Sequence, residues 1–419
     1  MRLFTFEFVL LCVSVASSLT AQDKESVPVI PAKVQVLERQ SFGGASTGGK
    51  RGRVVWVTNL DDSGPGSLRA ALELRTPRIV RFKVGGVIEL DRPISVRFGR
   101  VTIDGLSASA QGGVTLQGGL HFRGCEDVIV RHIRSRGGYD PLLILQSRRV
   151  LIDHVSTAWG LDENIDVWDS REVTLAWCVI AEGAVEGHPE GVHSMGSLQG
   201  GGTARVTTHH CLFTGNLDRN PRVTGPKEAP KYPLEDYRYD VINNVIYNCW
   251  NASKFEGYGR INFIGNTFRL GPDSSPGKWE VNILPKHKRW NDVSMEPQVF
   301  CSGNLGPHRP SDDLDELSLV MIYGTENRNS KAGIYGAEAR PFIARQPFDG
   351  PKGALLKPQP ARQAYRQVLD QVGAWPRDEV DQRLVREVRE KQGKIGRIGP
   401  RWRQIHEEFR KRQTEKQPR

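Results

Sequence analysis

Six short β-rich segments recur through the middle of the chain: VIVRHI at 128, VLIDHV at 150, VTLAWC at 173, VTTHHC at 206, DVINNV at 240 and NFIGNT at 262, at spacings of 22, 23, 33, 34 and 22. Each is followed by small or polar turn residues such as Gly138, Gly160, Gly183 and Gly215. Self-similarity at this period is the mark of a repeat architecture, in which one unit cannot bury its own apolar face and must stack on the next. No helical pattern of ten to fifteen residues lies between the segments, which argues against alternating strand–helix units. A two-sheet sandwich would show Asn-Gly or Asp-Gly hairpin turns, and few are present. The pattern predicts an all-β chain folded as a right-handed parallel β-helix, a solenoid of stacked coils. Inward ladders would run through Val130, Ile152 and Leu175, and through Ile133, Val155 and Cys178. The two long spacings imply loops of about eleven extra residues, which in solenoids often shape a binding face.

The ends of such a solenoid need covering. Ser67 followed by LRAALE reads as a short N-terminal capping helix with Ser67 as its N-cap, and strands are expected at Arg78–Phe82 and Val87–Leu90. From Pro358 to Gln392 the pattern is helical, with Tyr365, Val368, Leu369 and Val372 on one face. The organisation expected is therefore a signal peptide at 1–21, a linker at 22–50, a β-helix at 51–350, a helical segment at 351–392 and a flexible basic tail at 393–419. Arg2, an apolar run from Phe8 to Val15 and small residues up to Ala21 have the form of a secretory signal. That run is too short to span a bilayer, and Leu11 before Cys12 is too bulky for a lipid-attachment site. Secretion to the extracellular space or periplasm follows, with no transmembrane segment.

Of the 58 Lys and Arg and 48 Asp and Glu behind the net charge of +10, 14 and 8 fall in residues 376–419. More than half of the excess (+6 of +10) thus sits at the end, and no basic–aromatic motif points to nucleic acid. Five cysteines remain after the signal, widely spaced and without a CxxC pair, and are read as buried small apolar residues. A monomer is expected.

In a stacked-coil fold, residues far apart in sequence can meet on one face. Asp140, Asp162 and Asp166 lie at turns and strand starts of adjacent coils. Three carboxylates together repel unless protonated or bridged, and hard oxygen donors suit Ca²⁺; solvated turn aspartates are the plainer reading of the same residues. Arg219-Asn220-Pro221-Arg222 places two guanidinium forks close together, a match for carboxylates.

Four segments, in order, resemble the pectate lyase family of polysaccharide lyases. These are VTNLDDSGPGSLRAAL, VLIDHVSTAWG, DENIDVWDSREVTLAW and LFTGNLDRNPRV, and the likeness runs from about Val54 to Phe268, in the manner of secreted bacterial members. The resemblance implies a carbon–oxygen lyase acting on an acidic polysaccharide such as polygalacturonate. It implies calcium ligands at Asp140, Asp162 and Asp166, a catalytic base at Arg219 and a substrate contact at Arg222. Three positions depart from the family pattern. Gly138 stands where a further acid is frequent, Thr224 stands at the second arginine position, and residues 173–205 hold no lysine for substrate binding. His193 is the candidate to take that lysine's part. Two rival functions remain: a glycoside hydrolase using a carboxyl pair among Asp153, Asp162 and Asp166, and a polysaccharide-binding solenoid without catalysis.

Overall fold

The computed structural model describes residues 40–226, 229–275, 277–278, 280–285, 289–323, 333–349 and 356–398. The signal peptide expected at 1–21, most of the 22–50 segment and residues 399–419 lie outside the described residues. Three parallel sheets wind through the chain, and each coil contributes one strand to each. A representative coil runs from Glu126–Arg131 in sheet 1 to Ile133–Arg136 in sheet 2 and Leu142–Leu145 in sheet 3, and the chain then re-enters sheet 1 at Arg148–Asp153. This is a parallel β-helix.

The inward ladders follow the expected register. Ile152 pairs with Val130 on one side and Leu175 on the other, and all three are fully buried. Ile133, Val155 and Cys178 stack in the same way at the start of sheet 2. One spacing differs from the expectation. Val206 pairs with Tyr239, so the sheet 1 offset there is 33 and not 34. Because side chains alternate along a strand, a one-residue slip would have turned Asp240 into the core in place of Tyr239. Replacing Ile152 with alanine should leave a cavity between two neighbouring rungs and lower unfolding free energy by about 2–5 kcal/mol; urea denaturation at neutral pH measures it.

The corner from sheet 1 to sheet 2 is a single residue in the left-handed region, with φ of 53° at His132, 52° at His154, 54° at Trp177, 53° at His210 and 57° at Asn243. The recurrent His-His, Asp-His and Asn-Asn pairs of the sequence fall at this bend. Four of these corner side chains form a continuous pile: His132 stacks on His154 at 4.9 Å, His154 on Trp177 at 5.8 Å and Trp177 on His210 at 4.4 Å between ring centres. Burial lowers the pKa of His132 and His209 well below the usual value, and that of His210 to about 4. A histidine whose folded pKa is depressed leaves stability intact above its unfolded pKa near 6.5 and loses it as pH falls, because the unfolded chain takes up the proton first. The histidine contribution to thermal stability should therefore fall between pH 7 and pH 4; a His210→Gln variant whose melting temperature drops as steeply as that of wild type over that range would contradict a buried neutral His210.

The helix α1 (Leu68–Leu72) caps the front, and Ser67 accepts a bond from the Ala70 amide as expected. The C-terminal segment forms two helices, α2 (Ala361–Gln371) and α3 (Glu379–Glu390), separated by Val372–Asp378. Val368, Leu369, Val372, Leu384, Val385 and Val388 bury the outer face of sheet 2 around Trp177, Val179, Leu212, Val245 and Tyr247. Arg136 donates to Asp381 at 2.8 Å, and Arg383 donates to Glu182 at 2.7 Å, fixing α3 at its polar rim. The described parts of the 22–50 linker and of the 393–419 tail lie against the coils. Within 22–50, Phe42 is buried across sheet 1, with its amide on Thr207 and the Gly43 amide on Thr174 at 2.8 Å. Within 393–419, the Gly396 amide bonds the Gly215 carbonyl. The five cysteines among the described residues are free thiols, four of them buried.

Candidate active site

Among the described residues, helices cover part of sheet 2 and the N-terminal segment crosses sheet 1, while the outer face of sheet 3 carries no covering helix. Both long insertions border it. One is 182–194, between the sheet 2 strand Val179–Ala181 and the sheet 3 strand Met195–Gly200; the other is 225–237, between the sheet 3 strand Arg222–Thr224 and the sheet 1 strand Arg238–Ile242. The extra residues thus stand on opposite edges of one sheet.

Asp140 and Asp162 occupy the corner leading into sheet 3 on adjacent coils. The Leu161 and Asp162 amides bond the Gly138 and Tyr139 carbonyls at 3.0 Å, which stacks one corner on the other. This brings carboxylate oxygens of Asp140, Asp162 and Glu163 within 4.8 Å of one another. Asp166 follows on the strand Glu163–Trp168, on its outward face. Burial, reinforced by Asp162, pushes the Asp140 carboxyl up to about 8. Burial, with Asp140 and Asp162 adding to it, raises Asp166 well above the usual carboxylate range. The buried Oδ1 of Asp166 has no hydrogen-bond partner among the described residues. Crowded, partly orphaned carboxylate oxygens are the donor set a hard divalent cation satisfies, so the residues fit Ca²⁺.

The insertion 182–194 adds two imidazoles to this corner. His188 and His193 stack with ring centres 3.5 Å apart, and their Nε2 atoms lie 3.7 and 3.5 Å from the two oxygens of Asp162. The His188 Nδ1 accepts from the Glu190 amide at 3.1 Å, so its neutral form carries the proton on Nε2, facing Tyr139 Oη at 2.6 Å. That tautomer has no lone pair for a metal on the Asp162 side, so the oxygen cluster is the better fit for a hard cation. His193, expected to contact substrate, is 8% exposed and packed against Asp162. The register position between Asp166 and Arg222 is held by Leu198.

Arg219 reaches the acidic corner from two coils away. The backbone accounts for this reach: Met195 pairs with Asp218 and Leu198 with Arg222, so four steps on one strand face three on the other. The extra residue makes a bulge, and Arg219 sits in it with φ 62°. Its guanidinium contacts Glu163 and lies 3.8 Å from Asp162. Burial, and then the charge of Arg222, lower its pKa from the ordinary arginine value, while Asp162 and Asp140 pull the other way. The ion pair with Glu163 also favours the charged form. Beneath the bulge runs a buried amide chain: Asn164 donates to Asn216 and Asn216 to Asn220, each at 3.0 Å. Fully satisfied buried networks of this kind hold the groups above them in one position.

Arg222 pairs with Glu256, and Lys254, next in register to Arg222, pairs with Asp218. Two cations thus follow the bulge along the same face. Sequence reasoning missed Glu163, hidden in DENID beside the chosen aspartates, and Lys254, whose outward place was readable from the alternation in SKFE. Asp153, offered as a hydrolase acid, is fully buried, 3.0 Å from Arg131 and 2.5 Å from His154, and cannot flank a glycosidic bond.

The chain is 38% identical over 252 residues to a probable pectate lyase C of Neosartorya fischeri, covering 56% of this chain and 54% of the relative. It is 36% identical over 246 residues to the protein of that name from Emericella nidulans, covering 56% of this chain and 53% of that one. Over that span the chain is similar to pectate lyases. It spans about half the length of these curated relatives. No protein-family model matches it. Among solved structures, the major cedar pollen allergen jun a 1 superposes with a TM-score of 0.51 at 18% identity, covering 80% of this chain and 92% of that one. The thermostable pectate lyase PL 47 gives 0.51 at 15%, covering 81% and 97%. Both comparisons bear on the fold, which they share with this chain.

Proposed function

We propose that this chain is a secreted pectate lyase-type enzyme that cleaves a (1→4)-linked uronic acid polymer by β-elimination. The observation that carries the reading is the approach of the Arg219 guanidinium to the Asp140–Asp162–Glu163 carboxylates at the edge of sheet 3. Likeness to pectate lyases across more than half of the chain supports the substrate class. Asp140, Asp162 and Asp166 would hold calcium, with Glu163 beside them. Bound there, the cation would offset the charge that builds on the substrate's C6 carboxylate as C5 loses its proton. Arg219 takes the C5 proton; the C5–H electron pair forms the C4=C5 double bond, and the C4–O bond breaks, its oxygen leaving with the other fragment and acquiring a proton. Burial and Arg222 favour the neutral form of the base that this step needs, and closure of polymer over the site removes further water. Arg222 and Lys254 are suited to neighbouring carboxylates along the polymer. His193, beside Asp162, borders the metal carboxylates rather than the polymer.

The test is incubation of the secreted chain with polygalacturonate and calcium, followed by ultraviolet absorbance. A conjugated unsaturated uronide absorbs, whereas a hydrolase product does not. Reducing ends without new absorbance would replace elimination with hydrolysis. Binding with neither would leave a carbohydrate-binding solenoid.

A further inference from the structure

The strand that carries Asp166 ends at Trp168, two residues on and on the same outward face. Trp168 is 42% exposed, and at about 3.3 Å per residue it lies roughly 7 Å along the strand from Asp166. Exposure of a single aromatic is ordinary, shared here with Trp56 and Trp250; what sets Trp168 apart is what lies beneath it. Its setting is built for a flat ring. Trp168 pairs with Gly200 on the next coil. A Cβ on Gly200 would come within 2.9 Å of the indole, and one on Gly201 within 2.3 Å. The indole therefore lies down upon a bare two-glycine stretch of backbone and leans toward the coil of Arg222 and Thr224. One edge of this floor is bounded by the 225–237 insertion, where Lys231 grips Asp169, the residue after Trp168, at 2.9 Å. The polar and apolar elements alternate as a sugar polymer requires: carboxylates and cations for the uronate groups, and an aromatic face for the C–H side of a ring.

We propose that Trp168 is a stacking platform for a uronic acid residue of the polymer, bound next to the reacting unit, and that it determines affinity for oligosaccharide. The inference rests on the polysaccharide lyase reading and deepens it by one subsite. Gly200 and Gly201 are part of the platform, since a side chain at either would lift the ring. Trp168 touches no reacting atom in this arrangement, so it acts on binding and not on proton abstraction.

The experiment is titration of the full chain with tetragalacturonate by calorimetry in calcium buffer, alongside turnover, for wild type, Trp168→Ala and Trp168→Phe. Trp168→Ala should bind roughly tenfold more weakly and raise KM by a similar factor with kcat little changed. Trp168→Phe, which keeps a ring, should stay within about threefold of wild type. Calcium affinity and melting temperature should be those of wild type in both variants. Wild type that binds and eliminates, with Trp168→Ala binding equally well, overturns the platform and leaves the lyase reading standing. Tryptophan-dependent binding without elimination supports the platform and removes the lyase reading. Wild type that binds no oligogalacturonide overturns both.

Discussion

Replacing Arg219 with lysine is expected to lower kcat on polygalacturonate by roughly 10²–10⁴-fold, the usual contribution of a positioned general base, with KM little altered. The guanidinium reaches Asp162 and Glu163 only because a one-residue bulge projects it across two coils. A lysine there keeps the charge but ends in a single ammonium without the planar fork. A binding role would give the opposite split, with KM raised and kcat held. The pH profile supplies an independent check. Arg219 is pushed down from the ordinary arginine value by burial and by Arg222, yet its neutral form still gains with every rise in pH, so activity should climb toward the alkaline side. A maximum near pH 5 would remove Arg219 from the role of base.

Calcium binding is expected to release protons and to weaken by roughly tenfold per pH unit below about 8 for each proton displaced. Asp140, held up to about 8 chiefly by burial, is largely protonated in the metal-free chain at neutral pH, and burial also raises Asp166 well above the usual carboxylate range. A carboxyl whose folded pKa is raised stabilises the fold at pH below its unfolded value near 3.8 and loses that contribution as pH rises through the folded value. The contribution of these two carboxyls to the stability of the metal-free chain should thus be lost between pH 4 and pH 8, opposing the histidine contribution, and calcium should restore it at the alkaline end. Calorimetric titration in two buffers of different ionisation enthalpy counts the protons. Affinity that is flat from pH 6 to pH 8, with no proton released, would contradict the carboxylate site. Chelation should abolish turnover.

The repeat was legible because period-two burial and stacking impose the same requirement on every coil: Val128, Val150 and Val173 announce one another. The slip at Asp240 shows where that signal weakens, since Val241 and Ile242 are both apolar and stand on opposite faces of the strand, so either register looks plausible from the sequence. Asp140, Asp162 and Arg219 were found as residue types in a familiar order, and the structure brings them to one corner. Glu163 and the His188–His193 pair were not assigned their places, because they depend on a loop's path and on contact across coils. Neither leaves a periodic trace. The packed stretches around Phe42 and Gly396 were hidden for a related reason: short polar segments carry too few apolar residues to announce that a neighbouring surface holds them.

The two C-terminal helices have a consequence for how far this polypeptide can be shortened. They are the lid over an oily flank: without them Trp177, Val179, Leu212 and Val245 would face water as one continuous stripe. Trimming by a protease or by gene design that stops beyond Glu390 should yield a soluble protein, whereas a cut before Ala361 should yield a sticky one, even though no residue removed comes from the carboxylate corner.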